Sequence, residues 1–143
     1  MDLEVLKKTA REDLPITDLE HIDQESFKNQ MIKRKWLDFK ADFELLLVKA
    51  KTDHQLLYRQ KWEYYGGKAD AKVYAAKPFD IRVMKTDLTM YIQSDEDILR
   101  ISNKIGYYDS CVDYCKGVIK SIDNRGSDIR NAPDWKKFEA GMI

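Results

Sequence analysis

From Gln24 to Tyr65 the chain carries no glycine or proline, and Trp36, Phe39, Phe43, Leu46, Ala50, Leu57 and Tyr64 recur close to a seven-residue register. That period predicts one long helix of about forty residues, its apolar seam interrupted only at Asp53 and His54. Gly66 and Gly67 end it, since glycine reaches the left-handed conformation past a helix terminus without steric cost. A second and more regular stripe runs through Ile98, Ile101, Ile105, Tyr108, Val112, Cys115, Ile119 and Ile122, with alternating spacings of three and four. A stripe this narrow calls for a partner helix rather than a broad core. "SDEDILRI" opens that second helix, with Ser94 as the candidate N-cap and Asp95, Glu96 and Asp97 favourably placed at the positive end of the helix dipole.

The weaker elements follow from the same pattern. Leu3 to Asp13 reads as a short helix, followed by "LPITDLEHID", in which Pro15 and scattered acids indicate a linker or arm. "KADAKVYAAKPFDIRV" reads as a loop or a brief extended segment, and Asp87 to Gln93 as a short helix. "NRG" at 124–126 breaks or bends the second stripe, and Pro133 favours a separate short helix from about Asp134 to Ala140. The roughly thirty residues between the two seams let them fold back as an antiparallel pair. The expected fold is therefore mainly α: a long helical hairpin with a central loop and short terminal helices. Two helices shield little surface, so neighbouring copies are expected to cover the outer apolar positions in a homo-oligomer. The organisation expected is one domain over 1–143: an acidic arm (1–23), a long helix (24–67), a basic loop with a short helix (68–93) and C-terminal oligomerisation helices (94–143).

Charge changes this picture locally, not globally. The chain has 143 residues with 25 basic and 25 acidic side chains, which argues against a uniformly basic nucleic-acid binder. Yet residues 58–85 hold seven bases against three acids, and residues 1–25 eight acids against three bases. The middle of the chain is positive and its ends are negative. Cys111 and Cys115, four apart on a helix, have neither comfortable disulfide geometry nor a second ligand pair, so reduced apolar packing is the expectation. No stretch reaches the roughly 18 apolar residues of a membrane span, and a soluble, cytosolic chain is expected.

The segment "QLLYRQKWEYYGG" is the most informative. With Phe43, Ala50, Leu57 and Tyr64 facing the seam, Tyr58, Trp62 and Tyr65 form a second stripe on the opposite side. Arg59, Lys61 and Lys68 flank it. Rings flanked by cations suit single-stranded nucleic acid, whose bases stack on aromatic faces while its phosphates pair with Arg and Lys irrespective of sequence. The competing reading is that a second apolar face packs on another helix or subunit. Lys72, Lys77, Arg82 and Lys85 in the central loop extend the basic surface, whereas Lys28, Lys33, Arg34, Lys35 and Lys40 read first as a solvated helix face. The twin glycines lack the Lys-Ser/Thr of a phosphate-cradling loop, and His21 and His54 stand apart from any nucleophile. No catalytic constellation, metal-ligand set or cofactor motif is found, so none of these is expected.

"KWEYYGGKAD", "MKTDL", "SDEDIL", "NRGSDIRNAPDW" and the terminal "KFEAG" resemble, in order and spacing, the UvsY family of recombination mediators from T-even type phages. The resemblance is good over roughly 50–141 and looser before. It implies a non-enzymatic homo-oligomeric ring, hexameric or heptameric, in the cytoplasm of the infected bacterial host. Such a ring binds single-stranded DNA and loads a phage RecA-like recombinase onto strands coated by the phage single-strand-binding protein. It also implies that the basic pair before the twin tyrosines, here Arg59 and Lys61, contacts DNA, and that the C-terminal stripe serves self-association. The alternative class is a helical-bundle adaptor that binds proteins only.

Overall fold

In the computed structural model of the chain, which describes residues 1–141, five helices follow in order: α1 (Leu3–Asp13), α2 (Ile22–Tyr65), α3 (Ala71–Ala76), α4 (Leu88–Gln93) and α5 (Glu96–Glu139). Among the described residues there is no strand, so the fold is mainly α. The residues form two compact units, one from Met1–Glu44 with the chain from Ser110 onward, the other Leu45–Asp109.

The first unit contains α1, the first half of α2 and most of α5. Asp2 caps α1 by accepting a hydrogen bond from the Val5 N–H at 2.9 Å. Its apolar face, Leu6 and Ala10, is buried. Through that face α1 is packed into the unit. Asp13 accepts from the Trp36 indole at 3.0 Å and pairs with Lys35 at 2.6 Å, while the Leu14 carbonyl accepts from Arg125 Nε at 3.1 Å. Trp36 has no exposed surface and packs edge-on against Phe39, with ring centroids 5.2 Å apart.

In this unit α2 and α5 run antiparallel: Glu25 near the start of α2 pairs with Arg125, while Trp36, further along α2, meets Tyr114, earlier in α5, with ring centroids 6.3 Å apart. Arg125 is buried between them, pairing with the buried Glu25 and donating to the Glu25 carbonyl and to Asn29 Oδ1. The guanidinium is thus spread over four acceptors, which makes a buried charge tolerable. Gly126 sits where a Cβ would lie 3.1 Å from Asn29 Nδ2, so the glycine of "NRG" permits close helix approach and does not break α5. Cys111 and Cys115 are fully buried and are not joined in a disulfide, and burial raises the Cys115 thiol to about 11, with Cys111 adding to the shift.

Several expectations are corrected. Helix α5 continues through Pro133 to Glu139, instead of restarting after it. Proline there forfeits the bond to the Ile129 carbonyl and crowds that carbonyl with its ring, yet the turns on both sides hold the helical path. Ser94 is not the N-cap of α5. Its hydroxyl turns back to the Met90 carbonyl at 2.7 Å, and Asp95 caps instead, accepting from the Asp97 and Ile98 N–H groups at 2.9 and 3.3 Å. Residues 71–76 are helical rather than extended. In the α2 seam Leu46 is exposed and Leu47 is buried, because 3.6 residues per turn drift against a strict heptad.

Of the C-terminal stripe, Ile98, Val112, Cys115 and Ile122 are buried by the chain itself, while Ile101, Ile105, Tyr108 and Ile119 keep part of their surface exposed. The first four therefore have their partners within the chain, and only the second four retain apolar surface for another copy.

Candidate nucleic-acid interface

The second unit builds its surface around the end of α2. Lys68 N–H bonds the Glu63 carbonyl at 2.8 Å and Gly67 N–H the Tyr64 carbonyl at 3.3 Å, the paired bonds of a Schellman cap. Gly67 takes φ 75°, which a side chain would resist. The chain thereby turns back along α2 and brings α3 against it. Tyr74 stacks on Tyr64 at 5.4 Å and donates to the Tyr64 carbonyl at 2.7 Å, and the Tyr64 hydroxyl donates to the Lys77 carbonyl at 3.0 Å. Phe79 touches both Tyr64 and Tyr65, and Tyr91 closes the cluster on Tyr65 and Phe79. Five rings thus anchor a segment with little regular structure, and with it the backbone carrying Lys68, Lys72 and Lys77.

The stripe of Tyr58, Trp62 and Tyr65 divides. Tyr58 and Tyr65 pack against the core of Leu88, Ile92 and Ile98. Trp62 remains 43% exposed, with the Lys68 ammonium 4.7 Å from its ring centroid. Arg59 is 80% exposed, with one i,i+4 partner, Glu63, at 3.3 Å. Lys72, Lys77, Arg82 and Lys85 are exposed. An open cleft of about 530 Å³ has Lys61, Lys68, Lys77, Glu63, Asp70 and Asp97 in its lining.

Lys61 is placed differently from Arg59. Its side chain is only 12% exposed and its ammonium lies 3.2 Å from Asp95 and 2.9 Å from Asp97. Asp95 in turn accepts from the Tyr65 hydroxyl at 2.6 Å. Burial pulls the Lys61 ammonium down, but hydrogen bonds to Asp97 and Asp95 outweigh it and leave the group above its ordinary value. The Asp95 carboxyl falls despite burial, because Tyr65 and Lys61 both donate to it. The Tyr65 hydroxyl is driven up by burial and by that same bond. Sequence reasoning missed this network because an Asp-Glu-Asp run at a helix start is fully explained by the dipole. The one available signal was Tyr65 and Lys61 being four apart on the helix that must meet it. Of the run at 28–40, Lys33, Lys35 and Lys40 are paired with Asp123, Asp13 and Glu44, which fits a structural face. Among the described residues no group of three His, Cys, Asp or Glu side chains is arranged to hold a metal ion.

The sequence profile of the family described as "Recombination, repair and ssDNA binding protein UvsY" matches residues 9–142. The chain belongs to the UvsY family. It is 26% identical over 141 residues to the recombination protein uvsY of Enterobacteria phage T4, covering 99% of both chains. Two crystal forms of the bacteriophage T4 recombination mediator protein UvsY superpose on it. The first has a TM-score of 0.85 at 24% identity and covers 98% of each chain. The second has a TM-score of 0.83 at 22% identity and covers 97% of this chain and 99% of that one. At such identities the structures establish a shared UvsY fold, and the family match establishes membership. No described helix is long and apolar enough to cross a membrane.

Proposed function

We propose that this UvsY-family chain binds single-stranded DNA without sequence preference, as a homo-oligomeric ring of six or seven copies, and loads a RecA-like phage recombinase onto strands coated by single-strand-binding protein. It acts as a mediator in the host cytoplasm, not as an enzyme. The observation that carries the DNA reading is the exposed Trp62 ring with Lys68 over it, beside an open Arg59 and the tethered cations Lys72, Lys77 and Arg82. An indole offers a stacking face to any base, and the cations pair with phosphates on either side. Each copy makes few contacts, so a single site is weak at physiological salt. A ring of linked sites raises the effective affinity by orders of magnitude, yet lets the strand go segment by segment. That combination suits the transfer of a strand from one protein to another.

The test is a fluorescence titration of labelled oligo-dT at several salt concentrations. Each lost phosphate contact lowers the log–log salt slope by about 0.7 for single strands, so Arg59→Ala with Lys68→Ala is expected to lower it by about 1.4. Trp62→Ala is expected to weaken binding by about 1 to 3 kcal/mol with the slope unchanged. Salt-independent or absent binding would leave the protein-only adaptor as the reading.

A further inference from the structure

We infer that Lys61 is a positioning residue of the DNA-binding face: its ammonium binds and masks Asp95 and Asp97, and does not pair with phosphate. The inference rests on the DNA-binding reading above and concerns how that face is built. Lys61 reaches across to the start of α5 and holds two carboxylates at 3.2 and 2.9 Å. Asp95 cannot turn away to release it. The Asp95 side chain is only 3% exposed, and it also caps α5 through two N–H groups and accepts from Tyr65. Tyr65 is one of the five rings that anchor the segment bearing the exposed lysines.

Charge arithmetic points the same way. Asp95 and Asp97 carry two negative charges, Lys61 supplies one positive charge and Arg100, 3.3 Å from Asp97, another. The network is neutral only with Lys61 in place. Lys61 and Asp97 also line the cleft that Lys68 and Lys77 border. A phosphate entering there would meet a carboxylate already on the ammonium, whereas Arg59 and Lys68 are reached from open solvent. Removing Lys61 uncovers negative charge beside the basic face and loosens α5 from α2, so DNA binding falls for reasons other than a lost phosphate contact.

The wild-type protein supplies the first test. Acetylation with an amine-reactive reagent, with and without oligo-dT and read lysine by lysine by mass spectrometry, is expected to show loss of reactivity at Lys68, Lys72 and Lys77 on adding DNA. Lys61 is expected to be poorly reactive in both samples. Ready acetylation of Lys61 in the free protein together with protection by DNA overturns the inference. If no lysine is protected, the DNA-binding reading itself fails, and the inference with it. The second test compares oligo-dT affinities under conditions where circular dichroism shows every variant folded. Lys61→Met is expected to bind weakly, and Lys61→Met combined with Asp95→Asn and Asp97→Asn to return to wild-type affinity. A folded triple variant that binds as weakly as the single one overturns the proposal.

Discussion

The Lys61 network shows what a few atoms decide that a residue count does not. By composition Lys61 is one of seven bases between 58 and 85, indistinguishable from its neighbours. By position it is nearly buried and pairs with two carboxylates at once, those of Asp95 and Asp97. Acidity should report this. Asp95 and Asp97 are held below their ordinary 3.8, so they contribute stability that is present above their unfolded value and lost as pH falls through the folded one. Lys61 is held above 10.5, and its contribution is present below that value and lost as pH rises through the folded one, where the raised Tyr65 acts in the same sense. The melting temperature is expected to be flat from about pH 5 to about pH 9 and to fall on both sides, with Asp95→Asn flattening the acid limb. Thermal circular dichroism across pH checks it. Arg125 makes the same point: nothing in "NRGSD" announces a buried guanidinium, because its acceptors lie about a hundred positions away, at Leu14, Glu25 and Asn29.

At the scale of elements, the long periodic segments were readable and the punctuation was less so. Helix α1 is found at the expected Leu3–Asp13, α2 ends at the twin glycines and α4 lies within the expected 87–93. These follow from local chemistry: a capping aspartate, an uninterrupted apolar period, glycines able to take positive φ. Two of the expectations that failed, the break offered as one reading of 124–126 and the restart at Pro133, relied on residue propensity where packing decides. Propensity remains measurable where packing is silent. Gly117 is exposed in the interior of α5, and a Cβ there would meet nothing within 4 Å. Gly117→Ala is therefore expected to stabilise the chain by about 0.8 to 1 kcal/mol, read as a higher midpoint in urea with an unchanged slope.

For the whole molecule, the informative surface is the apolar one left uncovered. Phe27 and Met31 on α2 and Trp135 and Phe138 on α5 are each more than half exposed in the first unit, the last two ring to ring at 6.3 Å. In the second unit Leu45, Val48 and Leu56 are likewise open. So much exposed hydrocarbon on one small chain is a reason to propose neighbouring copies as its cover. Light scattering is expected to give a mass several times that of one chain, and Trp135→Ser with Phe138→Ser to lower it. An unchanged mass would move the contact to α2 or to the partly buried Ile101, Ile105, Tyr108 and Ile119. The sequence told of apolar faces but not which would be used internally, since that depends on how the two long helices rotate about their axes. The sulfurs of Cys111 and Cys115 lie on the side that turned inward. A maleimide dye should therefore stay idle on the native protein and react only when the surrounding helices part, making the pair a built-in chemical clock for how often that happens.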